Sequence, residues 1–139
     1  TGIVYQTEDR GDGLFYRFIP NFPGNLQAGG VLEALKIKDM PQAITKTNFP
    51  VGKPMAVEWV RIDNVNPVKD TIRVEGFAKG AAQFSRGEGI WYDNGEFYFC
   101  CTDGGEAELG QVWRYVSDSS RHGGTIELFV EPNDQNALD

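Results

Sequence analysis

Histidine and cysteine are scarce in this chain: His122 stands alone, and the two cysteines are the adjacent pair Cys100 and Cys101. One histidine excludes a histidine-based metal cluster and speaks against a Ser-His-Asp triad. Its place before Gly123-Gly124 reads as loop. No Cys-x-x-Cys, His-Glu-x-x-His or EF-hand spacing occurs, and Gly11-Asp-Gly13 and Gly104-Gly105 lack the strand-loop-helix setting of a phosphate loop. Side chains alternate along a strand, so one neighbouring cysteine is expected in the core and the other outside, as filler rather than as a disulfide or metal thiolate. Basic residues are also in deficit: 13 Lys and Arg against 20 Asp and Glu give a net charge of −7. Nucleic-acid binding needs clustered cations, so this balance argues against it. No run of eighteen apolar residues is present, so no membrane-spanning helix is expected. The start at Thr1 without a leader, and the end at Leu138-Asp139, suggest an excerpt from a longer protein.

Glycine is abundant, at 17 residues, and aromatics reach 12%. The pattern is one of short β-rich runs punctuated by turns, and the fold class is all-β. Strands are expected at 3–7 and 14–19, separated by a turn at Asp12-Gly13, then at Val31–Ile37 and Ala56–Ile62. The segment 39–53, with Pro41, Pro50 and Gly52, reads as loop. Further on, Gly89–Asp93 and Glu96–Cys101 flank Asn94-Gly95, the strongest hairpin signal in the chain. Gln111–Val116 and Thr125–Val130 complete a second set of four. Pro67 and Asp70 open and cap a short irregular helix near 70–82, weakened by Gly76 and Gly80.

A string recurs across these two sets. Thr7 falls on Thr102, Glu8 on Asp103, Arg17 on Arg114, and Gly29-Gly30 on Gly123-Gly124. The expectation is a single domain of two four-stranded antiparallel meanders, at approximately 1–65 and 84–131, joined by 66–83. Each meander has the shape of one propeller blade. Two blades do not close a ring, so the unit either belongs to a larger propeller or packs its sheets together as a sandwich.

Two acidic segments carry the candidate chemistry. Thr7-Glu8-Asp9-Arg10 lies where a strand gives way to a turn, and Ser85-Arg86-Gly87-Glu88-Gly89 lies just before the first strand of the second set. Hard cations such as calcium need several oxygens from converging segments, and Glu8 and Glu88 are placed to offer them. An ordinary turn acid and a solvated Arg86–Glu88 pair account for the same residues. Arg86, two residues before Glu88, shares its side of an extended chain and could clamp a phosphate oxygen; a pair that merely orders a loop is the alternative. Glu131-Pro-Asn-Asp134 offers oxygens too, though turn residues explain it equally.

These segments, with Leu14-Phe-Tyr-Arg-Phe18, Phe84-Ser-Arg-Gly-Glu-Gly-Ile90, Thr102-Asp-Gly-Gly105, Gly110-Gln-Val-Trp-Arg-Tyr115 and Leu128-Phe-Val-Glu-Pro132, resemble the PhoX-type alkaline phosphatases. The motifs fall in that family's order along nearly the whole chain. The resemblance implies a six-bladed propeller, secreted or periplasmic, that hydrolyses phosphomonoesters at calcium and iron ions in its central channel. It implies Glu8 and Glu88 as metal ligands and Arg86 as the residue facing the phosphate. This sequence departs from the family pattern at Gly87, where proline is usual, and a looser loop is expected there. The family's iron-binding cysteine lies upstream of the matched region, so Cys100 and Cys101 do not inherit that role. The Pro-Asp-Asn motif that the resemblance places shortly after Leu138-Asp139 is cut off. The metal cluster is therefore expected to be incomplete or absent in this chain alone, which is expected not to hydrolyse phosphate esters. The remaining blades of a parent chain are its expected partners. The rival readings are a non-catalytic propeller used for binding, and a self-contained β-sandwich.

Overall fold

A computed structural model describes residues 2–120, 122–134 and 136. The strands are β1 (Val4–Gln6), β2 (Tyr16–Phe22), β3 (Asn25–Ile37), β4 (Met55–Arg61), β5 (Gly87–Asp93), β6 (Glu96–Cys101), β7 (Gln111–Val116) and β8 (Thr125–Val130), with one helix, α1 (Ile72–Ala78), between β4 and β5. β7 and β8 coincide with their expected limits, and the loop at 39–53 contributes only isolated bridges. The β5–β6 hairpin turns at Asn94-Gly95, whose φ angles of 48° and 85° are those a two-residue primed turn demands.

The two expected meanders are present but are not separate blades. All eight strands form one antiparallel sheet in the order β1-β2-β3-β4-β8-β7-β6-β5. The join is short: Met55 faces Ile126 and Ala56 faces Thr125, extended by bonds from Val57 N to Gly124 O (3.0 Å) and Gly52 N to Leu128 O (2.8 Å). The sheet then curls until side chains from distant strands meet inside it. Phe15 stacks on Phe99 with centroids 4.4 Å apart, and Tyr5 of β1 meets Phe97 of β6 at 4.2 Å. Leu35, Val57, Trp113, Tyr115, Ile126 and Leu128 fill the same inner cluster. The result is a nearly closed, barrel-like sheet, which hides the aromatic face that a flat meander would leave in water.

The doubled string is real as register and misleading as orientation. Arg17 lies opposite Glu33 between β2 and β3, and Arg114 lies opposite Glu127 between β7 and β8. Yet β3 and β8 flank β4, both antiparallel to it. Carrying one copy onto the other therefore takes a half-turn about β4, which exchanges the two faces of the sheet. Arg17 points inward, 3% exposed, with its guanidinium 4.4 Å from the Trp59 ring centroid. Arg114 sits between the buried Trp113 and Tyr115 and points outward to Glu96 and Glu127.

α1 lies across the outer face, over a second cluster of Leu14, Tyr16, Ala34, Ile62 and Ala81. It is shorter than expected, and Asp70 does not cap it. Asp70 pairs with Arg73 at 2.8 Å and Arg10 at 3.3 Å, while Thr71 holds the cap position without a side-chain bond to the helix. Gly76 is there for contact: a Cβ would stand 2.6 Å from Leu14 Cδ1. Among the described residues no helix is long and apolar enough to cross a membrane.

Candidate functional site at the sheet seam

The edges of the curled sheet come together where the two acidic segments meet. Gly87 N donates to Glu8 O at 3.1 Å, Thr7 Oγ1 to Glu88 O at 2.6 Å, and Arg86 N to Arg10 O at 2.8 Å. The end of β1 is thus stitched to the start of β5, although 80 residues of chain separate them. Gly87 is buried and makes the closest approach, a Cβ there falling 3.3 Å from Thr7 Cβ. The looser loop expected from Gly87 is not what the structure holds. Its N–H is a stitch in the seam, and proline has none to give.

Glu8 faces away from this meeting. Its Oε2 accepts from Tyr16 Oη at 2.8 Å and Leu14 N at 3.1 Å, and its Oε1 lies 3.8 Å from Arg73. Burial and then the Glu8 carboxylate push the Tyr16 phenol well above its usual range, so it stays a donor at any ordinary pH. The turn between Glu8 and Gly13 is tight, with Arg10 N on Glu8 O and Gly13 N on Arg10 O, each 2.9 Å. A Cβ on Gly13 would lie 2.4 Å from Glu8 O, so only glycine fits.

Arg86 occupies the other side, half exposed and in the left-handed region at φ 53°. Asp9 holds its fork, Oδ1 on Nε at 3.0 Å and Oδ2 on Nη2 at 3.4 Å. Glu88 Oε1 lies farther off, 3.5 Å from Nη2 and 3.4 Å from Thr102 Oγ1. Asp103, the echo of Glu8, stands behind this group and takes Lys46 Nζ at 3.3 Å. Burial works to raise its pKa, but the Ser85 hydroxyl and the Lys46 ammonium outweigh that and hold it below the usual carboxylate range. Asp9 and Thr102 lie in segments the sequence marked. Lys46 comes from the 39–53 loop, and no motif announces it. Glu131 and Asp134 serve Gln111 and Asn136 respectively and do not join the group. Cys101 is buried and Cys100 exposed, as alternation requires. His122 is exposed in its loop.

Calcium takes six to eight oxygens. Here the Glu8 carboxylate is bonded to Leu14 and Tyr16 and the Glu88 carboxylate to Arg86 and Thr102, with no partner in common. Among the described residues no group of three or more His, Cys, Asp or Glu side chains converges as metal ligands do. The calcium and iron that the resemblance implies are not matched by the side chains gathered among the described residues.

The scaffold is an all-β one that holds the half-exposed Arg86 guanidinium between Asp9 and Glu88 at its seam. The family model for alkaline phosphatase PhoX matches residues 1–138, and the chain belongs to that family. No curated protein matches it, and no solved structure does.

Proposed function

We propose that this chain supplies the phosphate-facing part of a phosphomonoesterase, within a longer secreted or periplasmic parent whose six-bladed propeller brings the remaining ligands. Arg86 carries the reading. Asp9 fixes the plane of its fork, and the guanidinium remains half exposed. A phosphoryl group approaching from solvent would displace the long Glu88 contact before the shorter Asp9 one, and would accept two parallel N–H bonds. Arg86 would then balance the charge that grows on the phosphoryl oxygens during displacement. Glu88, freed from Arg86, offers a carboxylate beside the bound phosphate. Glu8 supports the turn that carries Asp9; as a metal ligand it would first have to leave Tyr16 and Leu14. Calcium and iron belong to the parent in this reading, with ligands that this chain does not bring together.

The test is hydrolysis of p-nitrophenyl phosphate by the full-length parent. Arg86→Ala should lower kcat by about 10²- to 10³-fold at unchanged thermal stability, and the isolated 139-residue chain should show no activity. Full activity of Arg86→Ala would leave Arg86 as a loop-ordering residue. A parent with no activity at all would favour the non-catalytic propeller.

A further inference from the structure

The seam is stitched at one end only. Beyond Gln6 and Glu88 the edges of β1 and β5 part, and between them opens a cleft of about 490 Å³. Its walls are aromatic: Tyr5 from β1, Tyr92 from β5, Phe97 from β6 and Tyr115 from β7. Tyr92, Phe97 and Tyr5 form the surface, at 4.6 and 4.2 Å in turn, and the fully buried Tyr115 packs behind Tyr5 at 5.5 Å. Two charged residues also line it, Arg17 and Asp118.

The charges are not equivalent. Arg17 is buried and its Nε is answered by Glu33 Oε2 at 2.6 Å, so it contributes a neutral pair. Asp118 is exposed and, among the described residues, accepts from the N–H and hydroxyl of Ser120, at 3.0 and 2.6 Å, neither of which cancels its charge. Among the described residues the cleft thus carries one carboxylate without a cationic partner, over a wall of electron-rich rings. Such faces attract cations, the more so when the cation is weakly hydrated. The same cluster already holds one in this way, the Arg17 guanidinium over Trp59. An anion would meet Asp118 at the mouth and an already satisfied guanidinium inside.

From this geometry we infer that the cleft between β1 and β5 binds a small organic cation of the alkylammonium class, its charge over the Tyr5, Tyr92 and Phe97 rings and facing Asp118. The site is distinct from the Arg86 seam and does not depend on phosphatase activity.

Choline and its uncharged isostere 3,3-dimethylbutan-1-ol separate charge recognition from simple apolar filling. Calorimetric titration of the 139-residue chain should show choline binding about tenfold more tightly than the alcohol. Tyr92→Ala and Asp118→Asn should each weaken choline about fivefold. Tyr92 is exposed, and asparagine keeps an acceptor for Ser120, so both variants should melt as the parent chain does. Equal affinity for choline and the alcohol, absence of choline binding, or unchanged choline affinity in both variants would overturn the assignment.

Discussion

Replacing Glu8 by alanine should destabilise this chain by about 3 kcal/mol. The figure follows from two donors that the change would abandon. Tyr16 is 5% exposed and gives its hydroxyl to Glu8 Oε2 at 2.8 Å. Leu14 is buried, and its N–H reaches the same oxygen at 3.1 Å. A buried donor left without a partner costs about 1–3 kcal/mol. Glu8 itself is 21% exposed, so water can reach part of the vacated space and each donor falls toward the lower half of that range. Glu8→Gln keeps a carbonyl oxygen in place and should cost only about 1 kcal/mol, as should Tyr16→Phe. Urea denaturation followed by tryptophan fluorescence measures all three. The double variant Glu8→Ala with Tyr16→Phe should lose less than the sum, with a coupling of about 1 kcal/mol or more. A drop of about 3 kcal/mol corresponds to a fall in Tm of roughly 10 °C for a chain of this size. If Glu8→Ala stays within about 0.5 kcal/mol of the parent chain, as an uninvolved surface change would, the assignment of Glu8 to the turn is refuted and its carboxylate is free for another task.

Phe99→Ala removes a ring stacked on Phe15 at 4.4 Å and edged by Phe84 at 5.3 Å; the cavity should cost about 3–5 kcal/mol in the same urea assay. Iodoacetamide should alkylate the exposed Cys100 of the folded chain and leave Cys101 untouched until urea is added, since burial raises the Cys101 thiol far above its usual range; mass spectrometry of the peptides reads this directly. Glu75 accepts the N–H of Asn64 at 2.9 Å and of Asp63 at 2.6 Å and pairs with Lys79, and these hold its carboxyl below the ordinary 4.5. A depressed carboxyl stabilises the fold above its unfolded pKa and loses that contribution as pH falls through its folded one. Thermal melts taken from neutral to acid pH should therefore drop less steeply below about pH 4.5 in Glu75→Gln than in the parent chain; parallel curves would contradict this.

Much of the secondary structure was legible because its causes are local. Alternation fixed β7 and β8 and sent Cys101 in and Cys100 out, and Asn94-Gly95 marked its own hairpin through the left-handed angles both residues tolerate. Helix α1 was harder, since Asp70 has the chemistry of a cap but spends it on Arg73 and Arg10. The candidate site was half legible. Arg86, Glu88 and Asp9 stand in marked segments, whereas Lys46 reaches Asp103 from a loop whose composition gives no hint of it.

What the sequence determined alone is the strand inventory, the doubled string that sets Arg17 on Arg114, and the two acidic segments whose motifs point to the PhoX family. Those depend on near neighbours and on short patterns. What only the tertiary structure decided is how the halves are joined and where their side chains look. Pairing β4 with β8 merges two meanders into one sheet and turns the copies face to face, so Arg17 is interior and Arg114 exterior despite matching strings. The same curl brings Gly87 against Glu8 and sends the Glu8 and Glu88 carboxylates to different partners. Strand order and sheet curvature arise from burying the aromatic face as a whole, and no single stretch of sequence encodes that.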